Sequence, residues 1–181
     1  MKYYATVILK DGRTCVIRNG TQDDGQALLN IFLITHEQTD YLLSYTDECT
    51  MTAEQEGKFL QTATDSDNEI ELLAEIDGKT VGCAGIEAVG QKYKLKHRAE
   101  FGVSVDKAYW GMGIGSALMA ACIDCAGKAG YSQLELTAVA DNTAGISLYR
   151  KFGFEEFGRN PRGFRSRLTG YQELVYMRKE L

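Results

Sequence analysis

Tyr109-Trp110-Gly111-Met112-Gly113-Ile114-Gly115-Ser116-Ala117 carries three glycines at alternate positions, directly before the apolar helical pattern Leu118-Met119-Ala120-Ala121-Cys122-Ile123. Glycine lets a backbone turn tightly and approach a ligand closely. The first turn of a helix adds unpaired N–H groups at its positive dipole end. The run before it, Ala99-Glu100-Phe101-Gly102-Val103-Ser104-Val105, reads as a strand. The local order is therefore strand, glycine loop, helix, and such a junction is suited to cradle a phosphate or diphosphate.

Two other phosphate loops compete for this reading. The dinucleotide fingerprint requires glycine at its first, third and sixth positions. Counted from Gly111 the sixth residue is Ser116, and counted from Gly113 it is Leu118. The nucleoside-triphosphate loop ends in Gly-Lys-Ser/Thr, and Gly78-Lys79-Thr80 comes nearest to it. Its first glycine would fall on Leu73, and Asp77-Gly78 is a hairpin-turn pair. Both rivals fail.

Trp110-Gly111-Met112-Gly113-Ile114-Gly115 resembles the Arg/Gln-x-x-Gly-x-Gly/Ala loop of the GNAT superfamily of N-acetyltransferases, with Trp110 where Arg or Gln is usual. The backbone cradle depends on the glycines rather than on that side chain. A second block, Asn142-Thr143-Ala144-Gly145-Ile146-Ser147-Leu148-Tyr149-Arg150-Lys151-Phe152-Gly153-Phe154, is similar to the superfamily's Asn-x-x-Ala-x-x-Leu-Tyr-x-x-x-Gly-Phe pattern. The two blocks stand in the family's order, with a helix and a strand between them. The resemblance implies acetyl-coenzyme A as co-substrate, held by Val103, Ser104, Val105, Gly111, Met112, Gly113, Ile114, Gly115, Ser116 and Asn142, with no metal. It implies an acetyl-coenzyme A-dependent N-acetyltransferase whose acceptor is the primary amine of a small molecule or peptide. A non-catalytic acyl-coenzyme A sensor on the same fold is the alternative, and a homodimer stays open.

Acetyl transfer to an amine asks for a neutral nucleophile, a stabilised oxyanion and a protonated leaving thiolate. Tyr149 lies seven residues past Asn142, about two helical turns on, so both side chains can face one cleft. In the family the matching tyrosine is the general acid for the coenzyme A thiolate. Glu100 is the candidate base, acting through water. Flanked by Ala99 and Phe101, it is expected to be desolvated enough to raise its pKa. An exposed carboxylate on that strand and a chain of waters with no dedicated base remain open. His97 is a weaker candidate beside Lys94 and Lys96, and His36 would either touch acceptor or cap a turn. The cluster Arg159, Arg162, Arg165 and Arg167 is read as a solvated loop between the last two strands, with contact to the cofactor's ribose phosphate or to an anionic part of the acceptor as its functional alternative.

The 181 residues, 44% of them hydrophobic, suffice for one domain spanning 1–181 with a good core. No apolar run approaches the roughly 18 residues of a membrane span, and Met1–Lys10 reads as a strand rather than an apolar leader. Five cysteines without framework spacing point to a reducing cytoplasm. Cys122 and Cys125 have no second pair to complete a zinc site, so they read as buried small residues. The net charge of −5 is uneven: residues 19–89 hold 15 acidic and 2 basic side chains, whereas 90–181 hold 14 basic and 9 acidic. That division favours a cationic acceptor beside an anionic cofactor, unless it reflects only solvated faces. An acidic chain with no recognition motif argues against nucleic acid.

The remaining elements follow from turn and period signals. Asp11-Gly12 joins strands 3–9 and 14–18, and Asp77-Gly78 joins strands 70–76 and 81–89. Thr21 with Asp24 opens one helix, and Thr52 with Gln55 opens another that runs to about Thr62. A strand at 97–105, a helix at 113–128 ended by Gly130, a strand at 134–139 and a helix at 143–152 follow. Strands near 154–159 and 171–178 close the list. This order predicts an α/β (α+β) fold: one mixed, mostly antiparallel, twisted sheet flanked by helices.

Overall fold

The computed structural model describes residues 1–181. Two Asp-Gly turns set up its N-terminal half. Strands β1 (Tyr4–Ile8) and β2 (Thr14–Asn19) flank the first, and β3 (Ile70–Ile76) and β4 (Lys79–Ala88) flank the second. At the second turn Asp77 and Gly78 both take positive φ, 50° and 76°, the backbone a tight type I′ hairpin requires. Between the hairpins run helices α1 (Gly25–Gln38) and α2 (Ala53–Asp65). Thr52 caps α2 by accepting from the Gln55 N–H while Gln55 returns a bond to the Thr52 N–H, the predicted capping box. Then come β5 (Arg98–Val105), α3 (Ile114–Lys128), β6 (Gln133–Val139), α4 (Thr143–Lys151), β7 (Glu155–Ser166) and β8 (Gly170–Glu180).

All eight strands form one sheet in the order β1-β2-β3-β4-β5-β6-β8-β7. Every pairing is antiparallel except β5 with β6. That one parallel ladder is short. It joins Arg98–Glu100 to Gln133–Glu135 and stops, although both strands continue. From Phe101 onward β5 therefore presents a free edge toward β6, while its other edge stays paired with β4 as far as Val105.

The main core lies on the α3 face. Leu118, Met119 and Cys122 of α3 pack on Ile17, Leu72, Ile86 and Ala99 of the sheet, all almost wholly buried. A smaller cluster on the opposite face joins Leu28 and Ile31 of α1 and Leu60 of α2 to Leu73. Cys122 and Cys125 belong to the main core, where burial pushes their thiols up.

The C-terminal hairpin departs from the sequence reading. The arginine cluster does not form a loop: Arg159, Arg162 and Arg165 lie within β7, and the connection to β8 shrinks to 167–169. Pro161, which cannot donate to a ladder, sits where the register shifts between Asn160 and Phe164. Arg159 is held by Glu156 and Glu173 at 2.5 and 2.9 Å. Opposite charges and a bulge thus carry a strand through a segment that composition marks as a loop.

Candidate active site

The free edge of β5, the start of α3 and the inner face of α4 enclose a cleft of about 340 Å³, the size of a small-molecule site. Val103, Ser104 and Val105 line it from β5, and Asn142, Leu148 and Tyr149 from α4. Gly111, Gly113, Ile114, Gly115 and Ser116 line its α3 end. Of the predicted cofactor residues only Met112 lies outside the lining. Its carbonyl accepts from the Lys10 N–H at 3.2 Å and its sulfur from Arg13 at 3.1 Å, so it anchors the loop to the β1–β2 turn.

Gly111 and Gly113 adopt φ of 79° and 103°, values that residues bearing a Cβ rarely adopt. Gly113 is the N-cap of α3 and no side chain caps that helix. The first N–H groups of α3 are thus left for a ligand, together with the positive end of the helix dipole. Gly115 has a different reason. A Cβ there would come within 3.3 Å of Leu148, so glycine lets α3 and α4 approach. Trp110 turns its indole N–H to the Val105 carbonyl at 2.7 Å and is itself 44% exposed. It braces the loop against the strand.

Tyr149 is only 8% exposed, with Phe101 edge-on at 6.4 Å and Phe154 at 6.3 Å between ring centroids. Burial alone pushes its phenol up to about 12, so it stays protonated at any working pH. Asn142 caps α4, its side-chain oxygen accepting from the Gly145 N–H at 2.9 Å. That bond commits half of its amide to the helix and aims Tyr149 into the cleft.

Glu100 is placed differently from expectation. It lies on the opposite face of β5 from Phe101, is exposed, and does not line the cleft. Strand alternation explains this: Ala99 and Phe101 point into the core, so the residue between them points away. Its cross-strand neighbours are Glu87 and Glu135. On that same face Gly85 pairs with Gly102, and the space above Gly102 is open. The carboxylate of Glu71 lies against Gly85 and is pushed up to about 8, mainly by burial, with Glu87 and Glu56 adding like charge. Neither histidine reaches the cleft: His97 is exposed, and His36 stacks on Phe32 at 3.7 Å.

Sequence reading missed the far wall. Thr35, Thr39, Tyr41 and Leu42 line the cleft from the end of α1 and the segment after it. That segment is tied to the β7–β8 hairpin by Asp40, whose carboxylate accepts from Ser166 at 2.6 Å, Gln172 at 3.0 Å, Tyr45 at 3.1 Å and Thr169 at 3.2 Å. Arg167 pairs with Asp47 at 2.7 Å and lies over the Tyr45 ring at 4.3 Å. Its partners stand about 120 residues away in the chain, and no local pattern marks them. No cluster of three or more potential metal ligands occurs, and no helix is long and apolar enough to cross a membrane.

The sequence model of the Acetyltransferase (GNAT) family matches residues 31–154. The chain is 36% identical over 108 residues to the L-amino acid N-acetyltransferase AaaT of Escherichia coli, covering 59% of this chain and 65% of that protein. The chain thus spans about two thirds or less of the curated relatives it matches. Among solved structures, an acetyltransferase of GNAT family from Streptococcus pneumoniae superposes with a TM-score of 0.88 at 30% identity, covering 92% of this chain and 99% of that one. The yncA protein of Salmonella typhimurium, solved with its cofactor acetyl-CoA, shares the fold at a TM-score of 0.80 and 21% identity, covering 92% and 94%.

Proposed function

The chain belongs to the GNAT family of acetyltransferases, and on that premise we propose that residues 1–181 form one domain that acetylates a primary amine of a small molecule or peptide, using acetyl-coenzyme A. The observation that carries this is the convergence of three features on one cleft: a free strand edge, an uncapped glycine-rich helix start and a buried phenol. The co-substrate supplies an acetyl group already activated as a thioester. Backbone groups of Val103 to Val105 would align its arm, and the loop from Gly111 to Ser116 would take its diphosphate. The E. coli relative acts on L-amino acids, which fits a small amine here.

Tyr149 serves as the general acid. A phenol held protonated by burial can give its proton to a departing thiolate, and Phe101 and Phe154 keep bulk water from competing. On the other side of β5, Glu100 takes the proton from the acceptor ammonium through water, as an exposed carboxylate outside the cleft must. With Glu87 paired beside Glu100 next to the open space above Gly102, that side favours an acceptor carrying positive charge. The free thiols of all five cysteines fit a reducing cytoplasm.

The test is thiol release from acetyl-coenzyme A across a panel of amino acids, polyamines and peptides. Turnover on at least one amine supports the enzyme, and tight coenzyme A binding with no turnover on any supports the sensor. For a polycationic acceptor, kcat/KM should fall as salt rises, because steering is screened over about 8 Å at physiological ionic strength. A salt-independent rate would mean that the acidic face serves only solvation.

A further inference from the structure

Lys10 is the one charged side chain among the residues that line the cleft. Everything else on its walls is neutral, so the charge of an anionic ligand would otherwise meet only dipoles. Lys10 follows β1 in the turn to β2, about 100 residues before the glycine loop. Its own N–H donates to the Met112 carbonyl at 3.2 Å, which holds its backbone beside Gly111 and Gly113. It forms no ion pair.

Neighbouring cations are already engaged. Arg13, across the same turn, pairs with Asp11 at 2.8 Å, donates to the Met112 sulfur and lies 5.5 Å from the Tyr109 ring centre. Lys107 lies over the Trp110 ring at 5.8 Å and does not line the cleft. Trp110, directly before Gly111, commits its one polar side-chain atom to the Val105 carbonyl.

Resting on the reading of this cleft as an acyl-coenzyme A site, we propose that Lys10 is the cation that meets the cofactor diphosphate, supplied to the glycine loop by the N-terminal hairpin. The loop provides directional N–H donors, and Lys10 provides the full charge that helix and turn dipoles lack. Arg13 and its contacts to Met112 hold the hairpin in register so that Lys10 reaches the loop.

Titration calorimetry on the full chain tests this with three probes: coenzyme A, 3′-dephospho-coenzyme A and pantetheine. Lys10→Met should weaken the first two equally, by about tenfold, the size of one charge-assisted hydrogen bond, and leave pantetheine unchanged. Lys10→Arg should recover most of the loss, and the salt dependence of coenzyme A binding should flatten in Lys10→Met. Equal affinity of parent and Lys10→Met for coenzyme A would overturn the assignment alone. So would a loss confined to coenzyme A, which puts the lysine on the 3′-phosphate, or an equal loss with pantetheine, which signals a displaced loop. A parent that binds none of the three probes would instead overturn the reading of the cleft.

Discussion

At its α3 end the cleft is walled by backbone. Gly111 and Gly113 turn in a region that side chains avoid, the first N–H groups of α3 are uncapped, and Lys10 is the single charge. At its α1 end the wall is made of side chains: Thr35, Thr39, Tyr41 and Leu42, behind which Asp40 gathers four donors, one from Tyr45 and three from the β7–β8 hairpin. Backbone N–H groups at a helix start suit an anion, and the positive φ of Gly111 and Gly113 tolerates little substitution. A side-chain wall can change its chemistry without changing the fold. Under the proposed function the first end would take the cofactor and the second would choose the acceptor.

The largest effect should come from breaking the backbone end. Gly113→Val forces a branched residue into φ of 103° at the start of α3. Coenzyme A affinity should drop by about 100-fold or more, as several charge-assisted N–H contacts are lost together. Thermal denaturation with and without coenzyme A checks this, since a ligand selective for the folded state raises Tm by mass action. An undiminished shift would place the cofactor elsewhere.

The side-chain end should respond differently. Asp40→Ala removes the acceptor of four hydrogen bonds, at a cost of about 2 kcal/mol or roughly 4–8 °C in Tm for a chain of this size. Acceptor KM should rise while coenzyme A affinity holds. If both constants worsen together, the two ends are not separable. By contrast, charge reversal at Asp24 would probe folding rather than steering, because Asp24 is bonded to Arg18 at 2.7 Å.

A smaller effect concerns Glu71. Burial raises its carboxyl to about 8 in the folded chain, against about 4.3 when unfolded. Between these values the folded chain holds a proton that the unfolded chain has released, so stability falls as pH rises. Glu71→Gln should therefore match the parent in Tm near pH 4 and rise steadily above it toward pH 8. A lower Tm at pH 8 would mean that the ionised carboxylate is stabilised by its surroundings.

These two ends also differ in how much of them can be read from the chain. Gly111, Gly113 and Gly115 announce themselves because tight turns and close helix approach leave glycine as the usual choice, and Asn142 announces a helix start. Lys10 and Asp40 do not, because each acts across about 100 residues or more of intervening sequence and each looks like an ordinary surface charge. Glu100 was legible as a residue but not as an environment: its apolar neighbours face the core, and alternation turns it outward. The long β7 was hidden by Pro161 and four arginines, whose loop-like composition is overridden by a register shift and by ion pairs from Glu156 and Glu173.

The most direct test measures cofactor affinity and turnover on the same protein, Tyr149→Phe. The phenol oxygen is the one atom removed, and the ring keeps its packing against Phe101 and Phe154. With a good amine acceptor, kcat should fall by about 100-fold, within the range of a lost general acid, while coenzyme A affinity and Tm stay at parental values. Turnover equal to that of the parent, with the cofactor bound as tightly, would contradict the account.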